Sequence, residues 1–204
     1  MSGMSQTSSS PRHRPSPVAA LWQAAREAQA AGDHRRAERL LATLVTWSPA
    51  DAEAWLLRAV SAGWAAPRGE HRFDEVVVGM AIAIERELPG RRAALRHRAA
   101  RALTVLAEVR FDDSADMLDD PREERSLRDH LAFGRATLRL LDAACELDPG
   151  HPRAAEATLR VAEDMLAAIR VIEDLDGGAR LDDVARVARA ARDRARSHLA
   201  PLAA

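Results

Sequence analysis

One stretch, Ser16 to Trp64, limits what this chain can fold into more than any other, because start and stop signals alternate along it at helical spacing. Ser16 is suited to N-cap a helix with Pro17 at its first position, where the missing N–H costs nothing. Ala20, Leu21, Ala24, Ala25 and Ala28 then share one face at spacings of three and four. Gly32 is suited to the left-handed position that ends a helix, and Asp33 to capping the next one at once. Ala37, Leu40, Leu41, Leu44 and Val45 form the second apolar stripe. Ser48-Pro49 stops it, because the residue before a proline is pushed out of helical geometry. Asp51 caps a third helix carrying Trp55, Leu56, Ala59 and Val60. Small residues on facing stripes let helices approach closely, so the pattern predicts antiparallel helical hairpins.

The composition agrees. Apolar residues make up 47% of the chain and aromatic residues only 3%, with no tyrosine, so alanine and leucine must fill the interior. That favours helices over a sandwich or barrel, which want β-branched and aromatic side chains. A length of 204 residues is enough for one domain with a real core. Lysine is absent and arginine alternates with Asp and Glu; the formal net charge of −1 gives no argument for nucleic acid or an anionic membrane as partner. The single cysteine, Cys145, has no internal disulfide partner and reads as a small buried hydrophobe. No run approaches the length of a membrane span and the amino terminus lacks a signal-like apolar region, so the expectation is an intracellular, cytoplasmic protein without membrane contact.

Taken in order, residues 1–15 are expected to be a disordered Ser/Pro/Arg tail and residues 16–204 one helical domain. Within it, 16–89 reads as repeat-like, 90–180 as divergent helices with an acidic insertion at 111–124, and 181–199 as a capping helix. A fourth helix is predicted over Phe73–Leu88, with Val76, Val77, Met80, Ala83 and Ile84 inward and Pro89-Gly90 ending it. A fifth follows over Arg91–Val109, a sixth over Leu127–Leu147 and a seventh over Pro152–Leu175, closed by a turn at Asp176-Gly177-Gly178. The last, Leu181–Leu199, carries Leu181, Val184, Val187, Ala188, Ala191, Ala195 and Leu199 on one face and Arg186, Arg189, Arg192 and Arg196 on the other. One apolar stripe and one solvated face is what a stack needs at its end.

Chemistry finds little to hold on to. Asp112, Ser114, Asp116, Asp120 and Glu123 have the oxygen spacing of a calcium loop, but Met117 stands where the sharp turn needs glycine. Asp119 and Pro121 depart from that pattern too, so a solvated acidic loop is the expectation. The seven histidines are scattered without metal-ligand spacing, and no nucleophile elbow or glycine-rich phosphate loop is present. The sequence therefore predicts no enzyme, no metal and no cofactor. A histidine meeting a carboxylate only through folding stays open.

Gly32-Asp33, Ala37, Pro49 and Ala52-Glu53-Ala54-Trp55 followed by Ala59 resemble the tetratricopeptide repeat family, most clearly over residues 18–89. Leu21 and Ala28 depart from its usual tryptophan and tyrosine. The resemblance implies an all-α, right-handed, tetratricopeptide-like stack of antiparallel hairpins, about eight helices in all. It also implies a concave groove lined by Trp22, Arg26, Gln29, Glu53, Leu56, Val60 and Trp64. The Lys/Asn clamp that grips a peptide carboxylate in that family is missing, so the groove would suit an apolar or amphipathic helical segment. The alternative is that Trp22 and Trp64 pack against helices five to eight or a second copy of the chain. The function implied is a non-catalytic adaptor for a protein or peptide partner, or for self-association. The second expectation is a nucleic-acid-binding or regulatory module using the arginine face of the last helix.

Overall fold

Three helix starts that the sequence marks with Ser or Asp are capped as marked. The Ala19 N–H donates to Ser16 Oγ at 3.2 Å, the Arg36 N–H to Asp33 Oδ1 at 3.0 Å, and the Ala54 N–H to Asp51 Oδ1 at 3.1 Å. Each such cap stabilises its helix by about 1 kcal/mol. Gly32 has φ of +73°, the left-handed conformation that lets one helix stop and the next begin within three residues. The computed structural model describes residues 16–116, 123–176 and 181–202. The tail at 1–15 and the glycines of the expected turn at 176–178 lie outside these.

The described residues are helical throughout, with no strand. The elements are α1 (Pro17–Ala30), α2 (His34–Trp47), α3 (Ala52–Ala65), α4 (Phe73–Arg86), α5 (Arg92–Ala115), α6 (Glu124–Leu147), α7 (Pro152–Asp176) and α8 (Asp182–Leu199), with short 3-10 turns at Pro89–Arg91 and Ala200–Leu202. Each helix packs mainly on the next one in the chain, except that α4 and α5 touch only lightly. The odd helices α3, α5 and α7 also touch in series, as do α4, α6 and α8. The result is a stack of helical hairpins in two layers, odd helices in one and even helices in the other.

Apolar residues divide between two cores. Ala25 and Ala28 of α1, Ala37, Leu41, Leu44 and Val45 of α2 and Ala54 of α3 form a small cluster at the amino-terminal end. The main core runs through α3 to α8, where Leu103, Leu106, Leu141, Val161, Met165 and Ile172 are essentially inaccessible to water. Trp55 packs against both, and its Nε1–H donates to the Pro49 carbonyl at 3.0 Å. Inside the α3–α4 hairpin, a Cβ added to Gly79 would lie 2.8 Å from the Ala59 Cβ, so the two backbones approach as closely as small residues allow.

Several boundaries differ from the sequence expectation. The fifth helix continues to Ala115 instead of stopping at Val109, because Arg110, Phe111 and Ser114 are buried and hold the extra turns in place. The first residues of the expected acidic insertion are therefore the end of α5, Glu124 begins α6, and residues 117–122 lie outside the described residues. The fourth helix stops at Arg86, short of Leu88, and the sixth begins at Glu124, before Leu127. On α1, Ala20 is exposed, and on α8 Val187 is exposed while Ala185, outside the expected stripe, is buried.

Candidate functional site

The residues expected to line a groove fall into different surroundings. Trp22 is half-buried on α1, with the Arg26 guanidinium 5.1 Å from its ring centroid, and the pair borders a shallow hollow of about 460 Å³ with Ala19, Gln23 and Glu27. Gln29 Nε2 donates to Ser61 Oγ at 3.1 Å, which ties α1 to α3. Glu53 receives both Arg98 Nη1 and Nη2, at 2.9 and 2.7 Å, tying α3 to α5. Those hydrogen bonds hold the Arg98 guanidinium above its ordinary pKa, against the opposing pull of desolvation.

Leu56 corrects the expectation. It is 3% exposed and belongs to the main core, because the face of α3 assigned to the groove is the face that meets the following helices. Val60 and Trp64 are half-buried against the same core, and the Trp64 ring stacks on His34 with centroids 5.9 Å apart. Trp22 is likewise half-buried, packed against the smaller core, while the Arg26 side chain over its ring is exposed. Trp47, at the end of α2, is 56% exposed.

Arginine–carboxylate pairs cross from hairpin to hairpin. Besides Arg98–Glu53, Arg153 pairs with Glu108 at 2.8 Å and Arg160 with Asp112 at 2.8 Å, joining α5 to α7. Arg72, at the start of α4, bridges Glu38 of α2 and Glu75, and the Glu38 hydrogen bonds chiefly hold it above its ordinary pKa. On the arginine face of α8 some charges are matched within the helix and some across to neighbouring helices, while Arg189 has no carboxylate partner among the described residues. Arg186 pairs with Asp183, Arg192 with Asp193 and Arg196 with Glu163, and the neighbouring Arg194 reaches Asp142 of α6.

Folding assembles one constellation that the sequence does not signal. His130 of α6 is 4% exposed; its Nδ1 lies 3.2 Å from Ser114 Oγ of α5 and its Nε2 2.7 Å from Asp164 Oδ2 of α7. Ser, His and Asp in contact invite comparison with acyl-transfer catalysis, and the geometry answers against it. Ser114 is 8% exposed and its hydroxyl donates to the Phe111 carbonyl at 2.8 Å. It also sits in the last turn of α5, where the negative end of the helix dipole would oppose an alkoxide or oxyanion. The three residues tie α5, α6 and α7, with Asp164 exposed and Ser114 and His130 bordering a hollow of about 460 Å³.

Beside this tie, the buried Arg110 (5% exposed) donates through Nη2 to the Pro67 and Glu70 carbonyls and pairs with Asp113 through Nη1 at 3.3 Å. It fixes the α3–α4 connection against α5. His97 and Asp148 approach at 2.5 Å near His151, yet among the described residues no group of three or more His, Cys, Asp or Glu side chains is placed to hold a metal ion. Of the calcium-loop residues, Asp112 and Ser114 are helical; the first is engaged by Arg160 and the second points into the interior. Burial pushes the Cys145 thiol above its ordinary pKa, the wrong direction for a nucleophile. No described helix is long and apolar enough to cross a membrane.

The chain matches no protein-family model, no curated protein and no solved structure. Its function has to be argued from its own surface.

Proposed function

We propose that this chain is a non-catalytic scaffold that binds a protein or peptide partner, with the Trp22 face of α1 as its first point of contact. The observation that carries this reading is the Trp22–Arg26 pair: an indole left half in water with a guanidinium over its ring, at the rim of an open hollow. Tryptophan and arginine are the residue types that dominate binding energy once a partner desolvates them, and stacking fixes both side chains before a partner arrives. The resemblance of residues 18–89 to tetratricopeptide repeats, whose stacks present surfaces to other proteins, supports the same class of function.

Quantitative affinity capture on the full chain tests this, comparing wild type with Trp22→Ala and Arg26→Ala and using Trp47→Ala as an exposed-tryptophan control. The expected result is a stoichiometric protein partner retained by wild type and Trp47→Ala and depleted at least about tenfold by Trp22→Ala, the loss typical of a hot-spot side chain. Trp64→Ala is unsuitable, since Trp64 packs on the core. Partners captured equally by wild type and a folded Trp22→Ala chain would refute the assignment.

A further inference from the structure

We propose that a second surface, a trough across the outer side of α6, binds an acidic peptide segment that carries one apolar anchor. This proposal is independent of the Trp22 face. Two hollows meet at Ala132. The first, about 460 Å³, lies between the α3–α4 connection and α6 and includes Arg68, His71, Ser126 and Phe133. The second, about 360 Å³, lies between α6 and α8 and is bordered by Arg135, Arg139 and Val187. Ala132 is exposed and small, so nothing at the shared rim obstructs a chain passing from one hollow to the other.

The walls are fixed before anything binds. The buried Arg110 guanidinium holds the Pro67 and Glu70 carbonyls, and so the connection that forms one wall. His71 stacks on Phe73 with centroids 5.0 Å apart and meets the Phe133 ring edge-on at 5.6 Å, giving the first hollow an aromatic floor suited to an apolar side chain.

Charge decides the occupant. Some arginines of this layer are matched, Arg128 by Glu124, Arg186 by Asp183 and Arg194 by Asp142, while Arg125 and Arg189 lie outside the trough without a carboxylate partner among the described residues. Arg135 and Arg139 are exposed, one helical turn apart, and have no carboxylate partner among the described residues. Like charges at that spacing destabilise a helix, and within this furrow nothing offsets them. Two carboxylates from another chain would. Glu70 and Asp129 in the first hollow, and Asp183 one turn before Val187, oppose a uniformly charged phosphate backbone. A peptide avoids them by placing neutral residues there, and Val187 favours an aliphatic contact at the arginine end.

Selection from a random twelve-residue peptide display library on the immobilised full chain tests this, followed by fluorescence anisotropy with the enriched peptides and with a labelled oligo-dT of equal charge. The expected result is enrichment of sequences pairing Asp or Glu with an aliphatic or aromatic residue. Their affinity should fall about tenfold in the R135E/R139E chain, as expected for removing and reversing two exposed ion pairs. It should fall as well in Ala132→Trp, which fills the rim without touching charge, and both chains should retain wild-type far-UV circular dichroism. Trp22→Ala should leave it unchanged, which separates this surface from the first. No acidic enrichment, binding unaltered in either trough variant, or oligo-dT bound as tightly as the peptides would overturn the proposal.

Discussion

The close approach of α3 and α4 at Gly79 gives a quantitative test of the hairpin packing. Replacing a mid-helix glycine by alanine ordinarily stabilises a helix by about 1 kcal/mol, through reduced freedom of the unfolded chain. Here the new Cβ would sit 2.8 Å from the Cβ of Ala59, a rigid atom on a buried helix. Overpacking of this kind costs about 1–3 kcal/mol. Gly79→Ala should therefore be neutral to about 2 kcal/mol destabilising, opposite to the propensity expectation. In an Ala59→Gly background the nearest remaining Ala59 atom is its Cα at 3.5 Å, an ordinary van der Waals distance, and the same substitution should recover its gain of about 1 kcal/mol. The coupling between the two positions should thus amount to about 1–3 kcal/mol. Urea unfolding of the four chains, followed by far-UV circular dichroism with the denaturant slope checked for constancy, measures it. If Gly79→Ala stabilises the wild-type background, or the coupling lies within about 0.5 kcal/mol of zero, the reasoning fails.

Two further predictions concern single groups. Cys145 should be alkylated by iodoacetamide more slowly in the native chain than in urea at the same pH, because burial raises its pKa and lowers the thiolate fraction. The sign for stability follows: its contribution is full below the ordinary thiol pKa and is lost as pH rises through the higher native value, so Cys145→Ala should flatten the alkaline limb of the stability profile. Asp51→Ala should cost about 1 kcal/mol in chemical denaturation through loss of the Ala54 cap, with Asp51→Asn recovering most of it.

Local signals proved legible and distant ones did not. Ser16, Asp33, Asp51 and Gly32 act within three residues of where they stand, and the structure uses each as its chemistry dictates. The alanine and leucine stripes likewise report on one helix at a time, which is why eight helices in sequential contact could be expected. The end of α5 is not legible in the sequence because Phe111 is held by α6, where His130 lies with its ring centroid 4.9 Å away, and the two positions are far apart along the chain. The resemblance puts Leu56 on an open face because a repeat register carries over positions, not the neighbours that cover them here. The Ser114–His130–Asp164 tie joins positions 16 and 34 residues apart, at no spacing that a motif could encode. On the arginine face of α8, the Arg196 pair is of the same distant kind, its Glu163 coming from α7, while Arg186 and Arg192 find carboxylates within their own helix.

The division of the interior has its own consequence. The α1–α2 hairpin rests on a core of seven small and medium apolar residues, separate from the mass of the molecule, and joins it mainly along α3. Opening that end exposes far less apolar surface than breaking the main core, so it is the segment least costly to detach. Trp22 stands on it. Whatever grips this tryptophan also clamps that end, and part of the grip's free energy then goes into keeping it folded.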